Sequence, residues 1–369
     1  MLLTTLRAPG KASDMTNRSS VLAGLAALAA TFVLAACSTP EAPPAPALPP
    51  APPPPPAINL SASLFEEASA WRGYMSRAAA TPTAFPDATT VASSLRAGAS
   101  YEPKQLLRGS IAYAAVIALQ DQAYIANVRT YAVDPAQRQR IAAQILANPW
   151  TVTNYPGADR AAGLIISALG NDGTKVLLTG RAVKQSAYDV QRQKWSKEFV
   201  PNREGRLADV RVLSSTPIRG DIEEVGRMQS ASLSGGSAAG PDGIVGQTAS
   251  APYSPVVVRG LALAALAALG EAGDDKLIAL GPLFTDEPSM FCLNMSKLML
   301  YQCLAAAKPH YEDVFCLGQH VLIDTGQCTL KSAGAPMPIE PPRPVVVATK
   351  APAAKAPAKP AAKPKAKGG

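Results

Sequence analysis

The sequence predicts an all-α protein: a multi-helix domain that ends in a helical hairpin stapled by two disulfides. A disordered Pro-rich linker precedes the domain and a disordered Lys/Ala/Pro-rich tail follows it. Three observations lead there. Within residues 58–330 apolar side chains recur at spacings of three and four, and no long stretch alternates with the period of two that a half-buried strand requires. Four cysteines, Cys292, Cys303, Cys316 and Cys328, all fall in the last helical stretch. The flanks cannot bury a core: residues 38–57 hold eleven prolines in twenty positions, and residues 335–369 are mostly alanine, proline and lysine.

The elements follow in order. Ser63-Leu-Phe-Glu66 has the form of a capping box, and Leu64, Ala68, Trp71, Met75 and Ala78 then lay one apolar stripe along a helix. Pro103 opens a second helix in which residues 111–119 are apolar on every side, so it is expected to be central and buried. Asp134-Pro135 supplies an N-cap followed by Pro at N1, opening a helix that runs to about Asn148, where Pro149 stops it. Further helical patterns cover roughly 157–170, 175–198, 203–213 and 255–270. Aromatic residues are only 5% of the chain, which predicts close packing through alanine and a core poor in bulky side chains.

Residues 214–254, containing Ser234-Gly-Gly-Ser-Ala-Ala-Gly240, read as a long mobile loop. It would separate an N-terminal helical body at 58–213 from a C-terminal region at 255–330. Ala168-Leu-Gly-Asn-Asp-Gly173 and Ala268-Leu-Gly-Glu-Ala-Gly273 share a pattern, and each is expected to end a helix on a glycine C-cap. With Val257-Val-Arg259 ahead of it and residues 274–280 behind, the second copy resembles a HEAT-type repeat, which would imply related helix–turn–helix units.

Position chooses among the three pairings that four cysteines permit. Residues 288–307 and 309–324 read as two helices joined near Lys308-Pro309, and in an antiparallel hairpin residues whose numbers share a total face one another. Cys303 with Cys316 and Cys292 with Cys328 give totals differing by one, which selects the nested pairing. The eleven residues from Cys292 to Cys303 return to within ~20° of the same helix face. The twelve from Cys316 to Cys328 miss by ~120°, so Gly326 is expected to end the second helix and turn Cys328 back. The geometry resembles the twin-cysteine helical hairpins of the mitochondrial intermembrane space, with different intervals. A zinc site drawn from Cys303, Cys316 and His320 is the competing use of these residues; export favours disulfides, and the expectation is no metal and no cofactor.

The compartment is written at the N-terminus. Residues 21–36 form an uncharged apolar run, too short for a confident span but suited to a secretory h-region. Met15 begins an ordinary short n-region and is an alternative start. Leu34-Ala35-Ala36-Cys37 resembles the lipobox of bacterial lipoproteins. The resemblance implies a signal peptide at 1–36, cleavage before Cys37, a diacylglyceryl thioether on its sulfur and a third acyl chain on the new amino group. Ser38, where inner-membrane retention signals carry Asp, implies sorting to the outer membrane, anchored by lipid and facing the periplasm. Residues 37–57 would then be anchor and spacer, extended at about 3.1 Å per residue as polyproline II.

Charge is distributed unevenly. The total is +8. Residues 1–36 hold a surplus of two cations and residues 335–369 a surplus of six, which leaves 37–334 balanced. A basic chain of this kind lacks the footprint of a nucleic-acid-binding domain. Lys350, Lys355, Lys359, Lys363, Lys365 and Lys367 are spaced by Ala and Pro in a tail (331–369) without aromatics, and are expected to contact a polyanion at long range.

No motif of serine hydrolases, zincins or nucleotide-binding loops occurs. Glu66-Glu67, Asp221-Ile-Glu223-Glu224 and Asp286-Glu287 are acidic pairs a glycosidase could use, yet each lies near a cap or turn. The sequence therefore predicts a non-enzymatic envelope lipoprotein that binds or scaffolds in outer-membrane or cell-wall organisation. Its partners would be the membrane, through Cys37, and peptidoglycan, lipopolysaccharide or an envelope protein. A peptidoglycan-active enzyme without a recognisable motif, or an accessory lipoprotein of a secretion or appendage complex, is the alternative.

Overall fold

The computed structural model describes residues 54–233 and 247–340. The lipobox cysteine Cys37, residues 1–53 as a whole, the Gly/Ser-rich residues 234–246 and all six tail lysines lie outside them. Among the described residues there is no strand, only isolated bridges at Leu60–Ala272 and Phe199–Pro309. None of their helices is long and apolar enough to cross a membrane.

The chain runs through α1 (Ala62–Ala79), α2 (Ala88–Ala99), α3 (Pro103–Ala118), α4 (Gln122–Arg129) and α5 (Pro135–Ala147). A 3-10 turn at Pro149–Asn154 leads to the long α6 (Ala158–Val190), the single turn α7 (Lys194–Lys197), α8 (Arg203–Ser215) and α9 (Ile222–Leu233). Then come α10 (Pro255–Ala268), the short α11 (Leu277–Leu280), α12 (Glu287–Ala306), α13 (His310–Cys316), a π-helical segment at Leu317–Ile323 and α14 (Asp324–Ala333). Local chemistry sets the starts. Asp87, Glu102, Asp121, Asp134, Ser254 and Asp286 each accept a first-turn N–H, a contact that contributes about 1 kcal/mol to a helix. Pro103, Pro135 and Pro255 occupy first-turn positions where the missing N–H costs nothing.

The two most completely buried of the long helices, α3 and α10, lie side by side in the core. They approach so closely that a Cβ on Gly260 would stand 2.5 Å from the Ala114 Cβ. Residues 58–213 and 255–330 thus share one hydrophobic core. That core is not poor in bulky residues. Trp71, Tyr74, Tyr101, Tyr113 and Tyr124 are fully buried; Trp71 stacks on Tyr113 with centroids 4.9 Å apart, and Tyr74 meets Tyr101 at 4.7 Å. Aromatics are few along the chain, but they are concentrated inward.

Other expectations change in detail. α1 starts at Ala62 without a capping box, because the Ser63 hydroxyl bonds to that of Ser61 at 2.8 Å and Ser61 in turn donates to Asp274. Gly170 and Gly173 do not end a helix: α6 runs through both, and the Gly173 face is pressed against α14. The pattern that continues to 198 stops instead at Val190. The second copy of the motif is a C-cap. Gly270 has φ +77°, its N–H reaches the Ala267 carbonyl at 3.0 Å, and Glu271 N–H reaches Leu266 at 2.8 Å, the double bond of a Schellman motif. The predicted loop at 214–254 contains α9, fixed to α1 by a reciprocal pair in which Asp221 N–H donates to Ser69 Oγ at 2.8 Å and Ser69 Oγ donates to the Asp221 carbonyl at 3.0 Å.

Candidate functional site

The cysteine hairpin organises the surface that carries the exposed chemistry. α12 packs against α13, the π segment and α14, and bridges join Cys292 to Cys328 and Cys303 to Cys316, with Cα–Cα distances of 5.7 and 5.8 Å. Gly326 does not end the second arm; it lies inside α14. The angular mismatch is absorbed earlier. An i→i+5 turn holds about one residue more than an α-turn, so the π segment makes the twelve-residue interval from Cys316 to Cys328 act as an eleven-residue one, matching Cys292 to Cys303.

The hairpin turn is tied to the segment between α7 and α8. Val200 N–H donates to the Lys308 carbonyl at 2.9 Å, and His310 N–H to Glu198 at 3.2 Å. Two arginines on one face of α8 then answer the last carbonyls of α12. Arg203 donates to Ala307 at 2.8 Å and Ala305 at 2.9 Å, while Arg206 donates to Leu304. Cations at a helix C-terminus also meet the negative end of its dipole. Arg206 further pairs with Asp313, whose carboxyl is only 4% exposed; burial raises its pKa against the opposing pull of Arg206. Over this pair lies a groove of about 490 Å³ walled by Leu95, Val210 and Val200, with Arg96, Asn202 and His310 at its polar edge. Arg206 Nε is buried there without a hydrogen-bond partner.

A second concavity, also of about 490 Å³, adjoins the hairpin turn at Lys308 and Pro309. Phe199 and Tyr311 line it together with Gln191, Lys197, Lys308 and Glu312. Phe199 is 70% exposed and Tyr188 50% exposed. Tyr311 and Phe315 are one turn apart on α13, and Phe315 meets the edge of Tyr188 at 6.4 Å. Lys184 Nζ sits 5.3 Å from the Phe315 ring centre and donates to Gln319 at 2.7 Å. Four aromatic rings and three lysines therefore form one contiguous strip.

At least one carboxylate of each acidic group serves the fold. Glu67 pairs with Arg108, Asp221 caps the start of α9, and Asp286 caps α12 while pairing with Arg259 at 2.7 Å. His320 Nδ1 lies 2.9 Å from Asp324, and Cys303 and Cys316 are bonded to each other, so the three groups of the zinc alternative are committed elsewhere. Among the described residues no cluster of three or more potential ligands occurs.

Phe199, Tyr188, Tyr311, Arg203, Arg206 and Lys297 are not among the residues that the sequence singles out. The aromatics are scattered across two distant segments, and only the fold aligns them. Lys297 left a clear signal: it stands in the apolar register Leu293, Lys297, Leu300, Leu304 of α12. Its ammonium is 2.6 Å from the Ala99 carbonyl at the end of α2, 3.0 Å from Ser214 Oγ at the end of α8, and 3.3 Å from the Tyr101 ring centre. Burial nonetheless holds its pKa well below the ordinary 10.5, with Glu102 acting the other way.

No family model matches the chain, and no curated protein or solved structure matches it.

Proposed function

We propose that the chain is exported as a lipoprotein, acylated on Cys37, and serves without catalysis as a binding or scaffolding component in outer-membrane or cell-wall organisation. The observation that carries this reading is the pair of nested bridges, Cys292–Cys328 and Cys303–Cys316. Such cross-links persist in oxidising compartments and are rare where thiols are kept reduced. The lipobox-like Leu34-Ala-Ala-Cys37 supplies the address, and three acyl chains exceed the two needed for stable attachment. Use of Glu67, Asp221 and Asp286 in caps and salt bridges supports binding over hydrolysis. Lys350, Lys355, Lys359, Lys363, Lys365 and Lys367 supply a tether for an anionic envelope polymer.

The test is fractionation of cells carrying Cys37→Ala, with acyl labelling, followed by cosedimentation of the purified chain with isolated cell wall. Loss of label and of membrane retention, and sedimentation without release of soluble wall fragments, are expected. Deleting residues 349–369 should weaken sedimentation at 0.1 M salt and matter little at 1 M, where the Debye length falls from ~10 Å to ~3 Å. Persistent membrane retention of Cys37→Ala, or digestion of the wall, overturns the reading.

A further inference from the structure

We infer that the strip Tyr188–Phe315–Tyr311–Phe199, with Lys184, Lys197 and Lys308 set along it, is a binding site for an anionic saccharide chain. The inference rests on the envelope reading for its compartment, but it concerns the folded domain and is independent of the lipid anchor and the lysine tail.

Three features of the strip point to this ligand. First, Phe199 at 70% and Tyr188 at 50% exposure contribute little burial to the fold, yet they belong to a contiguous aromatic surface rather than standing singly. Flat aromatic faces suit the C–H faces of pyranose rings, which stack on them as other ring systems do. Second, the concavity between Phe199 and Tyr311 also holds Gln191, whose amide matches sugar hydroxyls, while the Glu312 carboxylate accepts the Lys308 N–H at 2.7 Å. Its volume of about 490 Å³ lies within the range of small-ligand sites. Third, Lys197 and Lys308 border that concavity and Lys184 stands at the Phe315 end, so carboxylate or phosphate substituents meet cations along the same line.

Aromatic rings alternating with lysines also suit single-stranded nucleic acid. On the envelope reading, which the nested disulfides support, the chain meets anionic saccharides of the envelope rather than single-stranded nucleic acid. A bilayer surface would select a convex apolar face, whereas Phe199 and Tyr311 flank a hollow.

The experiment measures binding of the full chain by tryptophan fluorescence, in which Trp195, beside His310 at the hairpin turn with ring centres 6.4 Å apart, is the reporter next to the strip. The probes are a carboxylated N-acetylhexosamine oligosaccharide, its neutral counterpart, a phosphorylated lipopolysaccharide core oligosaccharide, oligo-dT and phosphatidylglycerol vesicles, each at 0.1 M and 0.5 M salt. One or both anionic saccharides should bind at both salts, the tighter identifying the source. Phe199→Ala and Tyr311→Ala should each weaken that binding about five- to tenfold. Lys197→Gln with Lys308→Gln should reduce the preference for charged over neutral sugar at 0.5 M salt, where the tail's long-range attraction is screened, and Lys104→Gln, at the start of α3, should change nothing. Unchanged melting of Phe199→Ala establishes that the loss is local. Tighter binding of oligo-dT or vesicles, no binding of either saccharide, or saccharide binding indifferent to Phe199 and Tyr311 overturns the inference. If wall sedimentation at 1 M salt, where the lysine tail matters little, survives Phe199→Ala unaltered, this site falls while the envelope reading stands.

Discussion

Gly173 and Gly326 face each other across the contact of α6 with α14, where a Cβ on Gly326 would stand 2.9 Å from the Gly173 carbonyl oxygen and 2.7 Å from the Leu177 nitrogen. Further along, a Cβ on Gly318 would lie 2.5 Å from the Lys184 nitrogen, and one on Gly180 would lie 2.7 Å from that of Ile323. Residue numbers rise on one helix as they fall on the other, so the contact is antiparallel and backbone meets backbone along its length. Glycine inside a helix costs roughly 1 kcal/mol relative to alanine, and here the closeness of the two helices offsets it.

Gly326→Ala should therefore destabilise the protein by about 2 kcal/mol, because the clash is with backbone that cannot rotate away. A methyl on Gly226 in α9 would meet nothing within 4 Å, and Gly226→Ala should stabilise by about 0.5–1 kcal/mol. Urea denaturation of both variants checks the contrast; equal effects would refute the close-packing account.

Removing one residue from the π segment should be tolerated better than removing one from α12. Deleting Gln319 turns the wide turn into an ordinary one, keeping Cys316 and Cys328 eleven residues apart and on one face. Deleting Met295 rotates Cys292 by ~100° relative to Cys303. Non-reducing peptide mapping should find both native bridges in the first variant and only one in the second.

The two bridges should contribute unequally. The outer one closes a separation of 36 residues and the inner one 13, so chain entropy predicts losses of about 4 and about 3 kcal/mol when each is replaced by a serine pair. Chemical denaturation of Cys292→Ser/Cys328→Ser and Cys303→Ser/Cys316→Ser reads the difference directly, and a larger loss for the inner pair would contradict it.

Lys297 predicts a pH dependence. Its folded pKa lies below 10.5, so between the two values the unfolded chain holds the proton that the folded chain has released. Rising pH therefore favours the folded state across that window, and its contribution is fully present only above 10.5 and is lost as pH falls through the folded value. Lys297→Met should be more stable than the parent at pH 7, and the gap should narrow by pH 9.5, before tyrosine ionisation intervenes. Tyr101, pushed up to about 12 by burial, acts in the opposite sense above that range. A gap independent of pH would show that Lys297 stays charged in the fold.

The helix class, the central place of α3, and the starts at Pro103, Asp134 and Pro255 were legible because each depends on a few adjacent residues. α2, α4 and α9 were not, since short helices with shallow apolar stripes are stabilised by what they pack against. Gly170 and Gly173 misled for a related reason: a glycine that caps a helix and one that admits a neighbouring helix look alike until the neighbour is in place. The aromatic strip was invisible because Tyr188, Phe199 and Tyr311 come together only when the hairpin turn docks on the segment before α8.

Arg129 reaches the Pro56 carbonyl at 2.9 Å and the Ala268 carbonyl at 3.0 Å with the same nitrogen, and Asn59 and Ser61 N–H groups donate to Ala267 and Ala272. A tug delivered through the residues ahead of Pro56 must part the bonds made by Pro56, Asn59 and Ser61 in turn before it reaches the first turn of α1. The stretch between them works as a strain relief, passing load to the end of the most deeply buried helix and leaving α1, with its unprotected N-terminus, slack.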